Sequence, residues 1–215
     1  MRYERKFFIE NLSRQAVESM IYQHPAAFRE LYQARQVNSL YFDTYDFADL
    51  VDKVDGNMLR QKYRIRWYEE QAGLLKQPFL EVKRKVGLLG EKERFELKDF
   101  SWEEMKAGTT FTEEIATQLP PTHAFALRAR HPSLYVAYQR RYWLSRDGKY
   151  RLTLDWDICY AQPRVPLAFV SKDRESLILE LKYEQAEDKR AERISSWFPF
   201  RVTRSSKYGM GLSRY

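Results

Sequence analysis

The sequence predicts an α+β chain in which roughly eight or nine antiparallel strands curl into a closed β-barrel, with helices packed outside it. Three observations carry this. First, apolar and charged residues alternate with period two over residues 2–8, 63–67, 80–86, 151–155 and 179–183. Successive side chains on a strand point to opposite faces, so Glu4 with Lys6, Arg64 with Arg66, Glu81 with Lys83 and Lys85, and Glu180 with Lys182 each share a face. Second, Gly87-Leu88-Leu89-Gly90 and Arg146-Asp147-Gly148 read as turns joining neighbouring strands into hairpins. Third, the charged faces are built mainly from Glu, Lys and Arg, with one order recurring at Glu4-x-Lys6, Glu81-x-Lys83 and Glu180-x-Lys182. A sheet hides such a face only by curling on itself, because a barrel sends alternate residues inside.

The elements follow in order. After the first strand, Asn11 or Ser13 can cap a helix running to about His24, with Leu12, Ala16, Val17, Met20 and Ile21 at helical spacing. Strands are expected over 37–42 and 62–69, separated by an Asp-rich loop over 43–57. Residues 79–86 and 91–97 form a hairpin whose second arm places Lys92 and Arg94 on one face. Ser101-Trp102-Glu103-Glu104 has capping-box spacing and opens a helical stretch to about Arg130, broken at Pro120-Pro121. A second hairpin spans 134–145 and 149–160, a strand 177–183, a helix 185–197 and a last short strand 200–204, with helix or coil beyond Ser205.

Length and composition bound the function. The 215 residues, with 8 Gly, 8 Pro and no linker-like stretch, read as one domain over 1–215 with a real core. Cys159 is the single cysteine, which excludes an internal disulfide and a Cys-rich zinc site. Following the strand at 152–158, it is expected to be a small buried residue. No signal peptide is expected before the first strand and no apolar run reaches ~20 residues, so the protein is expected in the cytoplasm. His24, His123 and His131 lack ligand spacing and are expected on the surface. No phosphate-loop, dinucleotide-binding or nucleophile motif occurs, so phosphates would be held by side chains.

A strand with one charged face is ordinarily a half-buried strand turned to water. Here the charge sums argue for more. Lys6, Arg64, Arg66, Lys83, Lys85, Lys92, Arg94, Arg140, Arg151, Lys182 and Lys207, with Glu4, Glu81, Asp155 and Glu180, carry the whole net charge of +7. If their faces converge, they line a site for a polyanion.

Read in order, Tyr3-Glu4-Arg5-Lys6-Phe7, Ser39-Leu40-Tyr41-Phe42-Asp43-Thr44, Tyr63-Arg64-Ile65-Arg66, Leu80-Glu81-Val82-Lys83-Arg84-Lys85, Tyr138-Gln139-Arg140-Arg141-Tyr142, Arg151-Leu152-Thr153-Leu154-Asp155, Leu179-Glu180-Leu181-Lys182 and Ser206-Lys207-Tyr208 resemble the VTC domain. That domain is the polyphosphate polymerase module of the vacuolar transporter chaperone complex, and belongs to the CYTH-like triphosphate tunnel metalloenzymes. The resemblance implies an antiparallel barrel around a basic tunnel, and a divalent metal, Mn or Mg. It implies Lys6, Arg64, Arg66, Lys83, Arg140, Arg151 and Lys207 as phosphate-binding and catalytic cations, Lys92 as a further phosphate-binding cation, and Glu180 as the metal carboxylate, with Glu4 second in line. Lys85, Arg94 and Lys182 join the set by strand parity. Arg2 stands where the wider superfamily often has the first Glu of Glu-x-Glu-x-Lys, a departure that fits the polymerase branch better than the hydrolases. The 39–44 segment is expected to be structural. The complex's phosphate-sensing domain and membrane helices have no counterpart in this chain, which leaves a membrane partner protein open.

The expected reaction is transfer of the terminal phosphoryl of ATP onto a growing polyphosphate chain, since rigid cations and one metal suffice for phosphoryl transfer. A triphosphatase using water needs the same groups. A non-catalytic polyphosphate-binding module is the alternative of another class. Nucleic acid is disfavoured because Trp67, Trp143 and Trp156 fall on faces opposite Arg66, Arg140 and Asp155, where core packing explains them.

Overall fold

Alternation becomes pairing in a computed structural model that describes residues 2–69, 73–86, 89–163, 171–204 and 206–215, with backbone alone for Arg2 and Leu89. The strands are β1 (Arg2–Ile9), β2 (Arg29–Asp43), β3 (Leu59–Tyr68), β4 (Leu74–Leu75), β5 (Phe79–Val86), β6 (Leu89–Glu96), β7 (Phe100–Ser101), β8 (His131–Leu144), β9 (Tyr150–Ala161), β10 (Ser171–Asp173), β11 (Leu177–Glu184) and β12 (Val202–Thr203). The helices are α1 (Arg14–Gln23), α2 (Ala48–Val54), α3 (Trp102–Lys106), α4 (Thr109–Ala116), α5 (Pro121–Arg128), α6 (Asp188–Ser196) and α7 (Lys207–Leu212).

Ten strands form one sheet in the order β12-β1-β11-β9-β8-β2-β3-β5-β6, with β10 on β9, and β4 pairs with β7 separately. The pairs β1–β11, β1–β12, β9–β11, β2–β3, β3–β5 and β5–β6 are antiparallel. The order ends at β12 and β6, so among the described residues the sheet is not closed by hydrogen bonds, and the closed barrel expected from sequence is not shown. Three short strands, β4, β7 and β10, were not expected, because two or three residues show no alternation.

The described residues fall into two compact units: Met1–Gln36, Tyr138–Cys159 and Lys172–Ser206 in the first, and Val37–Ala137, Tyr160–Ser171 and Lys207–Tyr215 in the second. In the first unit, Phe7 and Ile9 of β1, Leu152 and Leu154 of β9, and Leu177, Leu179 and Leu181 of β11 share one core with Val17 and Ile21 of α1 and Ala191 of α6. Their strand neighbours Glu4, Lys6, Thr153, Asp155, Glu180 and Lys182 therefore lie on the opposite face. Each fully buried Leu or Phe contributes about 1.5–3 kcal/mol, which is what fixes the register and hence the face of every charge. Helix α1 starts where Ser13 accepts from the Ala16 amide at 3.2 Å. The expected 185–197 helix is a 3₁₀ turn over Gln185–Glu187 followed by α6.

In the second unit, Tyr63, Ile65 and Trp67 of β3 are fully buried, and Trp67 stacks on Tyr135 of β8 with centroids 5.8 Å apart. The capping box at α3 forms as expected: the Glu104 amide donates to Ser101 Oγ at 3.2 Å, and the Ser101 amide donates to Glu104 Oε2. The Asp-rich 43–57 loop instead contains α2, whose first amide, Ala48 N, donates to Thr44 Oγ1 at 2.9 Å and whose next two are taken by Asp43: Asp49 N donates to Oδ1 at 2.9 Å and Leu50 N to Oδ2 at 3.2 Å. Asp43 does this from six and seven residues away, a distance that hides it from cap searches. At the second hairpin, Gly148 adopts φ 73° and donates to the Ser145 carbonyl, as an Asp-Gly turn requires. Of the first hairpin's turn, Gly87 and Leu88 lie outside the described residues.

Two expectations about reactive side chains are corrected. His24 and His123 are buried rather than on the surface, because each has found polar partners: His24 lies 3.0 Å from the Ile194 carbonyl, and His123 bridges Glu93 and Arg84 at 3.0 and 3.3 Å. Cys159 lies on β9 at intermediate exposure, and burial pushes its thiol up.

Helix α7 is held close by a glycine. A Cβ on Gly211 would stand 2.5 Å from Leu134 Cδ2 and 2.5 Å from Tyr160 Cδ1. Gly211→Ala is expected to lower stability by about 1–3 kcal/mol through overpacking, read from urea unfolding. An unchanged midpoint would show that α7 can move away at no cost.

Candidate phosphate-binding site

Each unit carries one charged strand face with a buried carboxylate at its centre. In the first unit this is Glu180, 6% exposed, on β11. Its Oε1 lies 3.4 Å from Lys6 Nζ, and its Oε2 lies 2.9 Å from Lys182 Nζ and 3.6 Å from Arg140 Nη2. Lys6 also meets Glu4 at 3.1 Å. Burial opposes the Lys6 charge, but Glu180 and Glu4 outweigh it and hold its pKa above the usual lysine range. Arg140 donates through Nε and Nη2 to the two oxygens of Asp155, at 2.5 and 2.6 Å, and lies over the Tyr138 ring at 5.1 Å. Arg151, exposed, stands in register with Lys182.

In the second unit the centre is Glu81 of β5. It accepts from Arg64 Nε at 2.7 Å, lies 3.5 Å from Arg66 Nη1, and pairs with Lys92 through its other oxygen. Burial opposes its charge, yet Arg64, Arg66 and Lys92 outweigh this and hold Glu81 well below the usual carboxylate range. Around it, Lys62 of β3 faces Lys83 of β5, which faces Lys92 of β6, so three lysines stand in one row across three strands. Like charges directly opposite one another destabilise a sheet, and an anion laid along the row would relieve this. Lys85 lies two residues along from Lys83, and Arg94 packs over the Phe79 ring at 3.6 Å. Lys207 is buried at the start of α7, beside Tyr208.

The structure thus gathers Lys6, Glu4, Arg140, Arg151, Glu180 and Lys182 in the first unit, and Arg64, Arg66, Lys83, Lys85, Lys92, Arg94 and Lys207 in the second. The expected set left out four residues of the second face, Arg60, Lys62, Ser39 and Tyr41. Lys62 is two positions before Arg64, so parity alone could have found it. Ser39 and Tyr41, expected to be structural, stand in register with Arg66 and Arg64 and receive hydrogen bonds from them at 3.4 Å each. The aromatic character of that segment concealed its polar face.

Tyr41 is electrostatically unusual. Its ring lies 5.0 Å from that of Tyr208, and Lys62 Nζ lies 4.4 Å above it. Burial opposes ionisation of the phenol, but Lys62, Arg64 and Arg66 outweigh it and pull it down to about 7. A near-ultraviolet titration is expected to show one tyrosinate forming near that pH, and Tyr41→Phe to remove it. Because the folded pKa lies below the unfolded value of about 10, the linked stability is complete above about 10 and is lost as pH falls through about 7. A phenol titrating only near 10 would contradict this field.

Among the described residues, no three His, Cys, Asp or Glu side chains gather as a metal ligand set. A divalent ion of the Mg type is commonly held by one or two carboxylates together with substrate phosphates and water. On the first unit's face Glu180 is engaged by three cations, one of which, Lys6, it shares with Glu4.

The sheet is antiparallel and carries two faces rich in Lys and Arg. The chain belongs to the VTC domain family, whose match covers residues 1–215. Solved structures of similar fold include a protein from Pyrococcus horikoshii, at 14% identity and TM-score 0.52, covering 99% of this chain and 96% of that one. A protein described as a candidate adenylate cyclase from Bacillus halodurans aligns at 17% identity and TM-score 0.54, covering 98% and 96%. A candidate adenylyl cyclase from Hippeastrum, described as having a dominant triphosphatase activity, aligns at 15% and TM-score 0.50, covering 99% and 96%. No curated protein matches the chain. Among the described residues, no helix is long and apolar enough to cross a membrane.

Proposed function

We propose that this chain is a polyphosphate polymerase, transferring the terminal phosphoryl of ATP onto a growing polyphosphate chain with the help of Mn or Mg. The observation that carries the reading is the excess of cations on the β3–β5–β6 face. Arg60, Lys62, Arg64, Arg66, Lys83, Lys85, Lys92 and Arg94 lie on it, and among its described residues the acidic ones are Glu81 and Glu96. Two unit charges ~4 Å apart cost about 4 kcal/mol at an effective dielectric of 20, so such a face is completed by a bound polyanion. Membership of the VTC family supports polyphosphate as that polyanion.

In this reading Arg64, Arg66, Arg140 and Arg151 grip phosphate oxygens with forked guanidinium groups, and Lys6, Lys83, Lys92 and Lys207 act as movable point charges. Lys85 and Arg94 extend the cation set of the one unit, and Lys182 that of the other. Glu180 would hold the metal, which would supply charge neutralisation on the non-bridging oxygens. Arginine donors fixed before the reaction stabilise the transferring phosphoryl without reorganising. The Hippeastrum protein's described activity favours a second reading, a triphosphatase in which water replaces polyphosphate as acceptor.

Incubation of the purified chain with ATP and Mg or Mn, followed by phosphorus NMR and sizing of the product, separates these readings. Long-chain phosphate and ADP are expected. Release of orthophosphate or pyrophosphate alone would move the chain to the triphosphatases. Tight triphosphate binding without turnover would make it a binding module.

A further inference from the structure

On the Glu180 face, one buried polar atom lacks a partner. Thr153 of β9 is 1% exposed, and its hydroxyl makes no hydrogen bond among the described residues. Its direction is settled by the strand: Leu152 and Leu154 on either side belong to the apolar core, so Thr153 faces away from it, in register with Glu180. Glu180 is already engaged by Lys6, Lys182 and Arg140, and Asp155, two residues along the face, is held by both arms of Arg140. Arg151, two residues the other way, is exposed and in register with Lys182.

A buried hydroxyl without a partner is costly, and the valine that would fit the same space on a strand carries no such cost. The hydroxyl is explained if its partner arrives with the ligand. The partner must accept a hydrogen bond and must tolerate Arg151 and Lys182 beside it, which describes a phosphate oxygen. We infer that Thr153 is a further substrate-positioning residue, donating its hydroxyl proton in a hydrogen bond to a non-bridging phosphate oxygen of the triphosphate held by Arg151 and Lys182. This rests on the triphosphate-binding reading above.

The test is calorimetric binding of inorganic tripolyphosphate in EDTA to the full chain, its Thr153→Val variant and its Thr153→Ser variant, with thermal unfolding of each without ligand. Thr153→Val is expected to weaken binding about tenfold, the value of one charge-assisted hydrogen bond. Its ligand-free unfolding temperature should stay level or rise by about 2–4 °C, since an unpaired hydroxyl has been removed. Thr153→Ser should bind like the parent. A merely structural threonine would show the opposite sign, with stability and binding falling together. Equal affinity of parent and valine variant in EDTA would overturn the inference. Failure of the parent chain itself to bind tripolyphosphate would sink the triphosphate reading with it.

Discussion

Glu180→Gln is expected to fold and to lose metal-dependent turnover of ATP by at least ~10²-fold, the scale seen when a preorganised transition-state group is removed. The variant tolerates the change because its neighbours keep other anions: Lys6 retains Glu4 at 3.1 Å and Arg140 retains Asp155 at 2.6 Å. The face also becomes more positive by one charge, so metal-free tripolyphosphate should bind at least as tightly as before. Arg64→Ala should lose turnover on the same scale for a different reason. Glu81 stays paired with Arg66 and Lys92, so the fold survives, while one forked phosphate donor is gone. Circular dichroism establishes folding and phosphorus NMR follows turnover. Folded variants that retain parental turnover would remove Glu180 and Arg64 from the assigned roles.

The largest stability effect is expected at Asp155. This carboxylate is 0% exposed and receives both arms of the buried Arg140. Asp155→Ala strands a buried guanidinium, for which breaking a buried pair suggests a loss of about 3–5 kcal/mol in urea unfolding. Glu180, 3.6 Å from Arg140 Nη2, compensates in part and places the value toward the lower end. Replacing both partners, as Arg140→Met with Asp155→Leu, should recover most of the loss, because the penalty lies in the unpaired charge rather than in the missing pair. A single-variant loss below about 1 kcal/mol would mean that water reaches Arg140, contrary to its burial.

These two results address different duties of the same face. Asp155 holds Arg140 in place and is not free to bind ligand, whereas Glu180 is shared among three cations at 2.9–3.6 Å. Tyr41 and Ser39 play the holding part on the other face, where they receive the hydrogen bonds of Arg64 and Arg66. A bound polyanion should add stability to the whole chain by mass action, since the unfolded state cannot assemble these rows.

By itself the sequence determined the strands that matter and the side of each strand on which every charge lies. Period-two alternation forces that result once one face is apolar, because a one-residue slip would bury Lys6 or Glu180 in place of Phe7 or Leu179. Expected and observed limits agree closely for the 79–86 strand and the second hairpin, where the Asp-Gly turn pins the register. Helix α2 was hidden because its cap, Asp43, belongs to the preceding strand. The tertiary structure alone decided the pairings. Only the register of β2 on β3 turns Tyr41 into a neighbour of Arg64, and only the register of β9 on β11 sets the unpaired hydroxyl of Thr153 opposite Glu180. Alternation says which face a residue occupies, but the partner across that face comes from another strand, distant in sequence, and is fixed only when the strands pair.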